Sequence, residues 1–132
     1  VHAASRPGTE VELHAAATGK ALLAFGFDDA VARQRFAAGL PRSRRTRRTL
    51  TSLAALEADC VRTRARGFAL DDEEYHDGVR CLAAPVRDAS GAVVAALGIT
   101  AATTTFTRRR ISEVARHVLA AAEDVAAVLG YH

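Results

Sequence analysis

The sequence predicts an α+β domain with a mainly antiparallel sheet, and three features predict it. Two largely apolar stretches, Arg80 to Arg87 and Ala92 to Thr100, are separated only by the turn Asp88-Ala89-Ser90-Gly91, which makes them neighbouring antiparallel strands. Helix-favouring segments precede and follow this hairpin instead of alternating with single strands, so the βαβ order of a parallel sheet is missing. Neither an internal repeat nor a long linker divides the 132 residues, a length that buries one core without disulfide or metal staples.

The elements follow in order. Val1 to Leu13 contains the turn-forming Arg6-Pro7-Gly8-Thr9 and is expected to be a ragged, strand-like start. From His14 the text HAAATGKALLAF has the chemistry of a helix over Ala15 to Phe25, stopped by Gly26. Gly19 inside it costs roughly 1 kcal/mol against alanine, which is tolerated where another backbone or a ligand comes close. Asp28 or Asp29 caps a second short helix carrying Val31, Arg35 and Phe36 and ending near Gly39. The run Arg42 to Arg48 holds five arginines without apolar periodicity and is predicted to be a loop. Thr51 or Ser52 caps a third helix with Leu53, Leu56 and Cys60 on one face and Gly67 at its end. Phe68-Ala69-Leu70 opens a short strand before the hairpin. Val93-Val94-Ala95-Ala96-Leu97 is apolar throughout, which predicts a central strand buried on both faces. Thr107 caps a long closing helix, with Ile111, Val114, Val118, Val125 and Leu129 as its apolar stripe and Gly130 as its stop. Arg108, Arg109 and Arg110 crowd its first turn, where the helix dipole disfavours cations, so an acidic contact is expected there.

Composition narrows the function classes. The chain is 49% hydrophobic and 25% charged, with few aromatics, so the core is expected to be built from alanine and branched aliphatics. No apolar run approaches the roughly 18 residues that cross a bilayer, and no basic-apolar leader opens the text, which predicts a cytoplasmic protein without membrane contact. Cys60 and Cys81 lack CxxC spacing, so no disulfide is expected. Methionine is absent even from position 1, which predicts that this chain is part of a longer one. A net charge of +3 with clustered arginines allows a weak basic patch, not a polycation.

Polar chemistry gathers at one end of the hairpin, between Asp71 and Thr100, a layout that suits a pocket. The acidic run Asp71, Asp72, Glu73, Glu74 with His76 and Asp77 matches no metal motif, so a solvated or capping loop with one carboxylate turned inward is preferred to a metal site. Cys81 begins a buried strand with no histidine placed to activate it, and buried cysteine behaves as a small hydrophobe. There is no GxSxG, and Gly19-Lys20 fails as a phosphate loop because His14 and Ala21 occupy its glycine and hydroxyl positions. No catalytic residue is therefore nominated. The first helix can instead hold a small anion on its unpaired N-terminal amides near Ala17 and Thr18. The arginine cluster lacks the aromatic interleaving or recognition helix of a nucleic-acid surface, so it is expected to be solvated.

Two blocks then carry a resemblance. HAAATGKALLAF, followed about 50 residues later by RARGFALDDEEYHDGVRCLAAPVRDASGAVVAALGIT and a long amphipathic helix, resembles the effector-binding domain of the IclR family of bacterial transcription regulators over roughly His14 to Gly130. The resemblance implies a GAF-like, profilin-like domain: a curved antiparallel sheet with helices on its faces and a pocket for a small-molecule effector, often a carboxylate. It implies homo-oligomers, either dimers or dimers of dimers, and DNA binding only through an N-terminal winged helix-turn-helix domain that these 132 residues do not include. It implies no cofactor and no metal. By motif, the effector-binding positions fall on Ala17, Thr18, Asp71, Val79, Cys81, Gly98 and Thr100. Members often carry serine where this chain has Gly98, and a Gly-Pro step where it reads Ala101-Ala102-Thr103, so a bulkier or more apolar effector becomes plausible here. The alternative is an oligomerisation or protein-interaction module with a vestigial pocket.

Overall fold

The computed structural model describes residues 12–132. The strand-like start expected before Glu12 lies outside them. Helices α1 (Ala17–Phe25), α2 (Ala30–Ala38) and α3 (Leu53–Arg66) precede strands β1 (Ala69–Asp72), β2 (Val79–Arg87) and β3 (Val93–Ala102). A single 3-10 turn, Arg108–Arg110, leads into α4 (Ile111–Val128). The strands form one antiparallel sheet in the order β1-β2-β3.

Strand alternation divides the sheet between two helical layers. Leu82, Ala84 and Val86 of β2 pack with Ala115, Val118, Ala122 and Ala126 of α4 and with Phe106. On the opposite face Ala69 and Ala83 meet Ala17 and Ala21 of α1. A third cluster, with Leu23 and Ala24 of α1 and Leu56 and Cys60 of α3, roots α1 in the outer helices.

Most predicted boundaries hold. Asp29 caps α2 by accepting from the Val31 amide, and Ser52 caps α3 by accepting from Ala55. Gly67 ends α3 at φ 92°, the left-handed conformation that glycine adopts without penalty. Thr107 makes no side-chain cap, because the 3-10 turn intervenes and α4 starts at Ile111. Three further expectations need correction. First, α1 begins at Ala17 and not at Ala15, because the Glu12 carbonyl takes the Ala15 and Ala16 amides, each at 3.1 Å, into a preceding turn. Secondly, the central strand is β2. β3 is the edge among the described residues, with Val94 52% and Ile99 45% exposed. The helical layers on both faces centre on β2, and an apolar run cannot by itself report which strand lies beneath them. Thirdly, Val125 and Leu129 are 42% and 44% exposed while Ala115, Ala122 and Ala126 are buried. The face of α4 that approaches the sheet is its small-residue face, so side-chain size misplaced the stripe.

Candidate ligand pocket

The register sets the pocket. Ala69, Ala83 and Gly98 lie in one row across the three strands, and the next row is Asp71, Cys81 and Thr100. α1 sits down on the row of small residues. A Cβ on Gly98 would lie 2.8 Å from the Leu82 carbonyl oxygen and 3.1 Å from the Ala83 Cβ, so any side chain there requires this closely packed row to shift. Gly19 has a comparable reason on the other side of α1, where a Cβ would come within 2.7 Å of the Leu13 Cα. The polar row lies beyond the start of the helix, and the gap between them is a cavity of about 210 Å³.

All seven positions implied by the resemblance line this one cavity: Ala17, Thr18, Asp71, Val79, Cys81, Gly98 and Thr100. Ala16, the N-cap of α1, has no side chain with which to cap the helix. Among the described residues nothing accepts from the amides of Ala17 and Thr18, since the first α1 hydrogen bond runs from Lys20 N to the Ala16 carbonyl. Unpaired amides at the positive end of a helix attract an anion. Opposite them Asp71 is 1% exposed. Its Oδ1 accepts from the amides of Glu74 at 2.7 Å and Tyr75 at 3.2 Å, which folds the acidic run into a tight turn. Burial pushes the Asp71 carboxyl up to about 6, against the pull of those two amides.

The rest of the acidic run is pinned to its surroundings. Glu74 reaches the Lys20 ammonium at 2.7 Å, and Asp59 of α3 stands 3.0 Å from the same nitrogen, which also donates to the Leu70 carbonyl at 2.6 Å. Lys20 is 1% exposed, so one buried cation ties α1, α3 and the acidic loop together. Asp72 lies on the other face of the sheet, where it receives Arg80 at 2.8 Å, Arg108 at 3.1 Å and Arg48 at 3.2 Å. Burial works against ionisation of Asp72, but the Arg80 guanidinium outweighs it and holds the carboxyl below its usual value. The arginine loop is thus partly structural. Thr46 and Thr49 donate to the carbonyls of Glu73 and Glu74 at 2.7 and 2.6 Å, and Arg45 lies over the Tyr75 ring at 3.7 Å. Among the described residues no group of three or more His, Cys, Asp or Glu is disposed to hold a metal ion.

Cys81 does not have the setting of a nucleophile. Its thiol bonds the Thr100 hydroxyl, and burial pushes it up to about 11, as it does for Cys60. Iodoacetamide at pH 7.5 is therefore expected to label neither cysteine of the folded protein appreciably, with labelling appearing only in denaturant. Selective labelling of Cys81 in the native state, read by mass spectrometry, would contradict this.

Sequence reasoning did not nominate Tyr75 and His76 for the cavity, nor Lys20 for its frame. His76 had been weighed only as a metal ligand and as an activator of Cys81. Lys20 had a detectable signal: with Ala17, Ala21 and Ala24 it occupies one helical face, and a lysine on an apolar face requires a buried acidic partner.

A helix start set against a polar row of an antiparallel sheet, with a second helical layer behind, defines a GAF-like α+β domain with an internal pocket. The chain belongs to the family described as bacterial transcriptional regulator IclR, C-terminal, which matches residues 1–127. It is 38% identical over 128 residues to the HTH-type transcriptional regulator KdgR of Escherichia coli K12, covering 97% of this chain and 48% of that protein. The crystal structure of the Thermotoga maritima IclR superposes with a TM-score of 0.89 at 30% identity, over 98% of this chain and 51% of that one. The inducer-binding domain of PobR from Acinetobacter, a double mutant in complex with 3-hydroxybenzoic acid, shares the fold at a TM-score of 0.82 and 24% identity, over 95% of this chain and 74% of that one. The chain spans about half the length of the curated relatives it matches. Those relatives are transcription regulators, and the part of them that this chain matches is the C-terminal regulatory domain. No helix among the described residues is long and apolar enough to cross a membrane.

Proposed function

We propose that the pocket is the effector site of a cytoplasmic transcription regulator and that its ligand is a small organic acid or a related metabolite. One observation carries this reading: the amides of Ala17 and Thr18, unpaired among the described residues, and the buried carboxyl of Asp71 line the same cavity, together with Tyr75, His76, Thr100 and small or apolar residues. The amides receive the anionic end of the ligand. Asp71 and Thr100 supply polar contacts, and Val79, Cys81 and Gly98 give the cavity its shape. A volume of about 210 Å³ lies below the usual span of small-molecule sites and favours a ligand of few heavy atoms.

The whole chain then acts as the effector-binding domain beside a winged helix-turn-helix domain, in a dimer or a dimer of dimers, and DNA is reached only through that second domain. Signalling requires the effector to bind one conformation or assembly better than the other, since equal affinity shifts nothing. Isothermal calorimetry of the folded protein against small carboxylates, aromatic acids and amino acids tests the reading. At least one acid should give saturable one-to-one heat, and binding by none of them would overturn it.

The competing reading, an interaction module with a vestigial pocket, draws on the outer edge of β3, unpaired among the described residues, with Val94 and Ile99 exposed. Light scattering separates the two. A pure interaction module oligomerises identically with and without the acids.

A further inference from the structure

A site for an acid usually presents a cation, but this one presents a carboxyl. Among the described residues no lysine or arginine lines the cavity. Lys20 is close in sequence to the amide pair, yet its ammonium is enclosed by Glu74 at 2.7 Å and Asp59 at 3.0 Å, so its charge is already offset. Asp71 is buried to the same degree as Lys20, and the Glu74 and Tyr75 amides use only its Oδ1. Oδ2 takes neither amide, and Asp71 is part of the cavity wall.

We infer, on the reading of this pocket as an effector site, that it takes a small monocarboxylate together with one proton, the ligand carboxylate lying against the α1 amides and the proton settling on Asp71. The proton comes from solvent and no other bond is made or broken. Ligand anion and proton enter together, so the net charge of the buried site does not change. Asp71, once protonated, turns from an acceptor that repels the ligand into a hydrogen-bond donor toward it. Two carboxylates sharing a buried site do not both remain ionised, because each disfavours the charge of the other. Burial already pushes the Asp71 carboxyl up to about 6, so an arriving anion raises it past neutral pH. The groups facing it are Lys20 from α1, Asp59 from α3, Glu74, Tyr75 and His76 from the loop, and Cys81 from β2. Of these only Lys20 carries a fixed positive charge, and two carboxylates already hold it. A dicarboxylate would bring a second charge into a cavity whose other titratable lining side chains, among the described residues, are Tyr75, Cys81 and the exposed His76, and of these only an imidazole can become cationic.

The test is calorimetry on the intact protein with acetate, propionate and benzoate as monocarboxylate probes and malonate and succinate as dicarboxylates. At pH 7.5 the binding enthalpy in phosphate and in Tris should differ by the heat of transferring about one proton. Affinity for the monocarboxylates should fall about tenfold per pH unit between pH 6.5 and 8.5. Protonation of His76 would also favour an anion at lower pH, so two variants separate the sources. The slope should survive His76→Gln and vanish in Asp71→Asn, which keeps the acceptor oxygen for the Glu74 and Tyr75 amides. Binding with no buffer-dependent heat in the unmodified protein overturns the inference even if the variant does not fold. A slope lost with His76→Gln, or dicarboxylates bound as tightly as monocarboxylates, overturns it as well. If no probe binds at any pH from 5.5 to 8.5, the effector reading itself fails and this inference falls with it.

Discussion

Lys20→Met is expected to destabilise the protein by about 3–5 kcal/mol. The magnitude follows from burial. An exposed ion pair contributes about 0–1 kcal/mol, because water already satisfies both charges. Lys20 is 1% exposed, and its partners Asp59 and Glu74 are 6% and 8% exposed. Methionine conserves much of the volume but leaves two carboxylates buried without their shared cation, and the Leu70 carbonyl without its donor. Urea denaturation of the intact protein measures the loss. Adding Asp59→Asn and Glu74→Gln to Lys20→Met should restore a large part of it, since the penalty lies in the unpaired charges and not in the missing lysine. A single-variant loss below about 1 kcal/mol would mean that water reaches the cluster.

Gly98→Ser is expected to cost about 1–3 kcal/mol, the usual penalty for forcing extra atoms into a packed interior. The family resemblance associates a serine hydroxyl with this position. The geometry opposes that here, because the Cβ itself would stand 2.8 Å from the Leu82 carbonyl oxygen before any hydroxyl is considered. Relief requires β2 and β3 to separate at the Ala83–Gly98 pair, one row from Asp71, Cys81 and Thr100. Gly98→Ala should therefore cost about as much as Gly98→Ser, and both should weaken any acid that calorimetry shows to bind. If the alanine variant is as stable as the parent chain, the strands yield at no cost and Gly98 is free to serve ligand choice alone.

Gly98 shows how far a sequence reading reaches. Its departure from the family pattern was visible, and the inference drawn was about the ligand. The register and the close approach of Leu82 add a packing constraint that no linear text displays. The arginine triplet before α4 shows the reverse. Its position against the helix dipole predicted an acidic contact, and Arg108 meets Asp72 at 3.1 Å. The partner was unforeseeable because it lies 36 residues away in the chain, at the end of β1, in a run that had been expected to form a solvated or capping loop.

Local chemistry was enough for the helices, their caps at Asp29, Ser52 and Gly67, and the hairpin. Those features depend on residues a few positions apart, whose backbone preferences act before the chain is compact. Which strand is central, which face of α4 is buried, and which charges share Lys20 were decided only when the layers packed. Each depends on distances between elements far apart in sequence. In a core of alanines and glycines those distances are set by how closely small residues allow backbones to approach, and side-chain hydrophobicity does not encode that approach.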